Sequence, residues 1–518
     1  MQSSTNSPAD APRSAARWAL VCVLAANMLV DALEVSATLV ALPAVGSDLA
    51  LSEPRLQWVV SGFAAGFGGL LLLGGRLVER LGRRPVYLAA LLVFAGASLA
   101  GALADGPGLL IATRVVKGFC VALTAPTGLA IIVSAVPEGA ARRRAVSLYS
   151  FFGAAGFCAG LLLSGLLTEV GWRWTFAFPA PVALLLLAAG LRLVPRDVPA
   201  VRTRAVHTRR AAAGGAALTG TVLLLVYAVS EAAGPGRQPG RASAAFAGAL
   251  LLGAGFVRAE RTAGRPLVPP GLLRHAPLVR SAVGAAALNG SYVAFLFVVT
   301  LQLQRAGWTP WETALAFLPA GAPLALLALR SGRIAVRLGP ARAVAAGAAA
   351  APLGYALYPR GPATEVAYTD LLPATGCVGA AFVLAFTALH LQATAGVPAH
   401  RQAEAGAFYQ TCVQLGAALT TVLVSALYTA GTDHALWLVT AVGLAGAVVA
   451  LTGLGRASEP RRPSVRRARE GLPRSSRTPT SERKSHVQRA SATGRHHQQR
   501  PRGPLRPGAR PMDRRAGP

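Results

Sequence analysis

Apolar residues run along this chain in long blocks and not at alternate positions. A helix needs about 20 apolar residues to cross the hydrocarbon core of a bilayer. Fourteen candidate runs are found, at approximately 18–44, 57–76, 86–104, 108–136, 145–167, 174–194, 212–232, 243–258, 280–303, 312–329, 342–359, 370–393, 403–428 and 434–455. Those at 243–258, 312–329 and 342–359 are short or interrupted by Pro and Gly, so their ends are the least defined. Strand-like alternation does not appear, which argues against a β-barrel. The pattern predicts an all-α polytopic membrane protein with about 14 transmembrane helices.

Composition agrees. Of 518 residues, 53% are hydrophobic and only 14% charged, and mean hydropathy is +0.47. A soluble domain carries roughly 25% charged residues, so an ordinary cytosolic enzyme and a disordered chain are both excluded. The net charge of +30 suggests a nucleic-acid binder until the charges are placed. From Arg456 onward there are 18 basic and 4 acidic residues, and most other basic residues lie in short gaps between apolar runs. That distribution fits the cytoplasmic loops of a membrane protein better than a groove for DNA, and no nucleic-acid partner is expected.

With the N-terminus inside, the loops and end on that side hold 25 basic residues before the tail, and the opposite loops hold six. The bias places both termini in the cytoplasm. The first apolar run has no small-residue cleavage site and reads as a retained helix. The tail, 456–518, is rich in Arg, Pro, Ser and Gly and cannot bury enough surface to fold. The five cysteines lie inside apolar runs, with no spacing that suggests zinc or a disulfide framework. No phosphate-binding loop of the Gly-x-x-x-x-Gly-Lys-Ser/Thr type, catalytic triad or metal cluster is seen, so the chain is not expected to be an enzyme or to need a cofactor.

The most specific segment is Gly75-Arg-Leu-Val-Glu79-Arg80-Leu-Gly82-Arg83-Arg84-Pro85, after the second run. Gly82 permits a sharp turn, and Glu79 and the arginines can bridge helix ends. A related segment, Gly332-Arg-Ile-Ala-Val-Arg-Leu-Gly-Pro340, follows the tenth run, an echo of the repeated halves common in transporters. Within the spans, Asp31 and Glu34 are spaced i, i+3 on the first helix, and Arg114 and Lys117 likewise on the fourth. At about 1.5 Å per residue, Glu34, Lys117 and Arg114 lie roughly 15, 13 and 9 Å from the outer ends of their runs. A charge at such depth costs about 3 kcal/mol or more, so these residues are expected to face inward and pair. They form either a structural ion-pair cluster or a proton- and cation-handling site. Asn289, Tyr292, Gln410 and Gln414 are candidates to line a cavity, with helix–helix hydrogen bonding as the alternative.

The loop segment resembles the Gly-x-Leu-x-Asp-Arg-x-Gly-Arg-Arg motif of the major facilitator superfamily, with Glu79 in the Asp position. Leu33-Glu-Val-Ser-Ala-Thr-Leu-Val-Ala-Leu-Pro43 resembles the first-helix signature of its fourteen-helix drug:proton antiporters. Arg114-Val-Val-Lys-Gly118 resembles Arg-x-x-Gln-Gly, and the segment with Gly156, Gly160 and Gly165 resembles the antiporter motif of the fifth helix, with Leu161 in place of its Pro. The resemblance covers about residues 18–455. It implies a bacterial inner-membrane exporter of an antibiotic or other drug-like molecule, driven by protons and acting as a monomer. Asp31 and Glu34 would handle protons, Arg114 would hold or release that acid pair, and Glu79, Arg80, Gly82, Arg83 and Arg84 would latch the cytoplasmic side. The expected parts are an N-terminus (1–17), a six-helix bundle (18–194), a linker with two extra helices (195–279), a second six-helix bundle (280–455) and the basic tail. A proton-coupled importer of the same fold, or a non-transporting membrane scaffold or sensor, are the rival readings.

Overall fold

The runs of apolar residues become helices because only a helix satisfies every backbone N–H and C=O within one segment in lipid. A computed structural model describes residues 11–196, 205–233, 238–264, 266–360, 366–398 and 401–452; the expected tail lies outside them. The helices are α1 (Ala11–Asp48), α2 (Glu53–Leu56), α3 (Trp58–Leu81), α4 (Arg83–Ala102), α5 (Pro107–Ala135), α6 (Ala140–Val170), α7 (Trp172–Ala177), α8 (Pro179–Leu193), α9 (Ala205–Ala233), α10 (Pro239–Thr262), α11 (Pro270–Leu273), α12 (Ala276–Arg305), α13 (Pro310–Ala316), α14 (Leu318–Leu338), α15 (Pro340–Leu357), α16 (Tyr368–Ala381), α17 (Thr387–Thr394), α18 (Gln402–Tyr428) and α19 (Thr432–Leu451). A π-helical turn, Phe382–Phe386, joins α16 to α17. No strand occurs among the described residues.

Among the described residues, twelve segments are long and apolar enough to cross a membrane. The tenth and eleventh runs also form helices, α14 and α15, but the apolar stretch in α14 is only Leu318–Leu327. Arg330, Arg333 and Arg337 lie in the second half of α14. Length and apolarity thus support twelve of the fourteen expected spans.

Helix boundaries follow local chemistry. Proline opens α5, α8, α10, α13 and α15, where its missing N–H costs nothing. Thr309 and Glu312 form a reciprocal capping box on α13. Gly82 separates α3 from α4 with φ 92°, and Gly339 separates α14 from α15 with φ 81°. The two echoing segments therefore end in the same way, on a glycine in the left-handed region that lets the chain turn back within one residue.

Helices α1 and α3–α8 pack among themselves, as do α12 and α14–α19, while α13 and α14 also lie against α6. Between the two groups in sequence come α9 and α10. Helix α9 packs against α3 and α18, one from each group, and α10 packs on α9. Leu250 and Leu251 on the outward side of α10 are exposed, as expected of a lipid-facing helix.

Candidate functional site

Helices α1 and α5 run in opposite directions and bring four buried charged residues into the N-terminal group. Glu34 is held by both bases. Its Oε1 pairs with Arg114 Nη1, and its Oε2 lies 2.6 Å from Lys117 Nζ. Arg114 Nη2 also donates to the Glu34 carbonyl at 3.3 Å, and Arg114 Nε donates to the Val59 carbonyl of α3 at 2.8 Å. The guanidinium lies 4.6 Å from the centroid of the Phe63 ring, and Lys117 Nζ lies 5.0 Å from that of Phe94. Glu34, Arg114 and Lys117 are each at most 2% exposed. Buried in this way, the charges are compensated by each other and by aromatic faces.

Asp31 has a different environment. Asn27 Nδ2 donates to its Oδ2 at 3.0 Å, and Thr124 Oγ1 donates to the same oxygen at 2.8 Å. The resemblance implied that Arg114 holds Asp31 and Glu34 as one acid pair. The structure divides it: Glu34 takes both cations, and Asp31 takes two neutral donors. The cause is register. Asp31 is three residues from Glu34, whereas Thr124 is two helical turns beyond Lys117 on the antiparallel α5. Asn27 was detectable as the i−4 neighbour of Asp31 on one helix face; Thr124 had no sequence signal.

The α1–α6 seam fixes this geometry. At Gly156 and Gly160 of α6, an added Cβ would run into the backbones of Leu29 and Leu33. Ser36 Oγ donates to the Phe157 carbonyl at 2.7 Å, and Ser164 Oγ donates to the Ala37 carbonyl. The small residues of the fifth-helix segment thus let α1 approach within backbone contact beside Glu34. Gly165 instead faces Ala314, Pro310 and Trp311 of the C-terminal group. An apolar groove of about 470 Å³, whose lining includes Leu29, Leu33, Leu162 and Trp311, lies along the same seam and has no polar lining to receive an ion.

In the loop segment, Arg83 Nη1 donates to the Ala130 carbonyl of α5 at 3.5 Å, and Arg84 Nη2 to the Leu191 carbonyl of α8 at 2.6 Å. Arg76 Nη2 donates to the Pro266 carbonyl at 3.0 Å. Gly75 has open space around it. Glu79 and Arg80 are exposed and form no ion pair among the described residues. The bridging expected of this segment is therefore made by the arginines to helix carbonyls and not by Glu79.

Of the four cavity candidates, Asn289 Nδ2 donates to the Val413 carbonyl at 3.3 Å, a bond between α12 and α18. Gln414 is buried and packs its Cβ against Gly68 of α3, and Gln410 is half-buried. Tyr292 lies in a row of rings. Its centroid is 5.7 Å from that of Phe157 on α6 and 4.3 Å from that of Phe382, which is in turn 5.4 Å from Phe386 on the same π-helical turn. This row crosses from one helix group to the other. On α7, Trp172 is buried and its Nε1 donates to Asp48 Oδ2 at 3.0 Å, while Trp174 is exposed.

Comparison with known proteins agrees with this architecture. The family model described as Major Facilitator Superfamily matches residues 24–421. A puromycin resistance protein of Streptomyces alboniger is 36% identical over 422 residues, 80% of this chain and 82% of the relative. A lincomycin resistance protein of Streptomyces lincolnensis is 30% identical over 371 residues, 71% of this chain and 76% of the relative. Among solved structures, a POT family transporter in complex with a thioalcohol-conjugated peptide superposes with a TM-score of 0.64 at 13% identity, covering 85% of this chain and 96% of that one. At that identity the likeness concerns the fold alone. The helix order, the loop segment on its glycine turn and a family match across most of the described helices lead to one assignment: this chain belongs to the major facilitator superfamily.

Proposed function

We propose that this protein exports a small drug-like molecule, of the antibiotic class, across the cytoplasmic membrane of a bacterium in exchange for protons. The observation that carries the reading is the division of the buried charges. Glu34 is locked between two cations, while Asp31, three residues away, is held among the described residues only by neutral donors. A carboxyl group in such a setting changes its proton affinity when water reaches it or leaves. Asp31 is the proton carrier in this reading, and the Glu34–Arg114–Lys117 cluster holds α1 against α5 while the carrier titrates. The two resistance proteins similar to this chain support export of an antibiotic. The test is proton movement on adding candidate antibiotics to everted vesicles that contain the full chain. A chain that changes neither antibiotic accumulation nor vesicle pH would refute the reading.

In this reading two six-helix bundles, 18–194 and 280–455, rock about a central cavity. The end that carries Arg80 faces the cytoplasm with both termini, and the end that carries Asp48 faces outward. The protein acts as a monomer, with substrate, protons and bilayer lipid as its partners. Reporter fusions after Leu51 and Gly106 are expected to report the outside, and fusions after Arg143 and Ser464 the inside. An inside signal at Gly106 would reverse the topology.

Gly82→Val places a β-branched residue at φ 92°, a conformation that costs an L-residue roughly 1–3 kcal/mol. The turn lies outside the hydrocarbon core, so the variant is expected to insert normally. The bonds from Arg83 and Arg84 to α5 and α8 would shift, and efflux is expected to fall several-fold. Unchanged efflux at equal membrane yield would remove the turn from the transport cycle.

A further inference from the structure

The short helix α2, Glu53–Leu56, joins α1 to α3 at the end that carries Asp48. Three helices from elsewhere in the chain hold it. Arg305, on the last turn of α12, pairs through Nη2 with Glu53 Oε1. The same guanidinium donates to Tyr428 Oη at 3.1 Å and lies 5.1 Å from the centroid of that ring. Ser425 of α18 donates to the Glu53 carbonyl at 3.1 Å. Ser230 of the inserted helix α9 donates to the Pro54 carbonyl at 2.5 Å. A helix of four residues makes few backbone bonds of its own, and the two serine hydroxyls add donors to its Glu53 and Pro54 carbonyls.

These contacts differ in what they join. Arg305 and Ser425 belong to the C-terminal group, so their bonds to α2 cross between the groups. At the same end Gln304 Nε2 donates to the Val40 carbonyl at 2.9 Å, and the Trp311 N–H to a Glu169 carboxylate oxygen at 3.3 Å. Those crossing bonds must break if the groups are to part here. Helix α9 lies against α18 as well as α3, but its side-chain fastenings run along α3. Thr219 packs directly on Gly69, Tyr227 lies 6.5 Å from Trp58 between ring centroids, and Arg76 reaches the Pro266 carbonyl in the segment after α10. These side chains hold the inserted pair to α3, and Ser230 ties α2 to the same helices.

We propose that α2 is a clasp that holds the outer side shut, and that the inserted helix α9 acts on it through Ser230. Glu53, Arg305 and Ser425 close the clasp, and Ser230 is a positioning residue that keeps α2 from following the C-terminal group. The exposure of the Arg305 and Glu53 side chains, 55% and 29%, lets water compete for the ion pair, so it can open and reclose within a cycle. The two extra helices thereby anchor one half of the outer closure.

This inference rests on the outward assignment of the Asp48 end, but its readout needs neither substrate nor a proton gradient. A failure of proton coupling therefore leaves it standing. The full chain in lipid nanodiscs is compared with its variants by amide hydrogen exchange in peptides covering 49–60 and 299–306. Arg305→Gln and Ser230→Ala are each expected to speed exchange there several-fold. The charge swap Glu53→Arg with Arg305→Glu, and the conservative Ser230→Thr, are expected to return it toward the unsubstituted rate. Exchange across the α1–α6 seam should not change. Unchanged exchange in Arg305→Gln would overturn the clasp. Unchanged exchange in Ser230→Ala would overturn the part given to α9. Faster exchange along α1 and α6 as well would mean a loosened fold, and would overturn the gate.

Discussion

Glu34→Gln is expected to destabilise the protein by about 3–5 kcal/mol, the usual loss when one member of a buried ion pair is removed. The sign of the comparison with Arg114→Gln follows from charge arithmetic. Among the described residues, Glu34 is the only acid ion-paired with Arg114 and Lys117. Its loss leaves two buried cations facing an amide. Losing Arg114 leaves Glu34 still paired with Lys117, with Nζ 2.6 Å from Oε2. Arg114→Gln should therefore cost less, about 1.5–3 kcal/mol, the range for a charged hydrogen bond. The double variant should be less harmful than the two losses added, since one contact is counted in both. Unfolding of each variant in detergent, followed by a double-mutant cycle, measures all three. A Glu34→Gln protein as stable as the original would show that the cluster is not what holds α1 to α5.

Asp31→Asn should have little effect on stability and a large one on transport. The amide oxygen of asparagine accepts from Asn27 and Thr124 as the carboxylate does, so the seam between α1 and α5 keeps its bonds. What is lost is the ability to carry a proton. One charge moved across 100 mV is worth about 2.3 kcal/mol, so an exporter that loses one coupled proton loses roughly 50-fold in the substrate gradient it can hold. In everted vesicles Asp31→Asn is expected to bind substrate yet show no substrate-driven proton movement. Normal coupling in Asp31→Asn, with coupling lost in a folded Glu34→Gln, would move the proton site to Glu34. Normal coupling in both and in the double variant would place it elsewhere and make the whole cluster structural.

The sequence alone determined the class of this protein and most of its helices, because the bilayer imposes two simple demands. A segment must be long and apolar enough to cross, and its backbone must bond within itself. The turn at Gly82 was legible for a similar reason, since a return within one residue needs the left-handed region that glycine enters freely. Burial of Asp31, Glu34, Arg114 and Lys117 was legible from cost, since ionised groups in mid-span face lipid only at a large penalty. Spacing could not assign partners. Two acids and two bases, each at i, i+3, suit several pairings. The register of α5 against α1 chose between them, giving both cations to Glu34 and Thr124 to Asp31. Around that pair, α5 is pressed onto α3 at Gly118 against the Phe63 backbone and α6 onto α1 at Gly160 against Leu33, contacts between residues far apart in the chain. Helix α2 lay below the threshold of any pattern: four residues carry no periodicity. Its place is set by Arg305, Ser425 and Ser230, each more than 170 positions away. Local chemistry decides which segments can be helices; only packing at long range decides which buried groups meet.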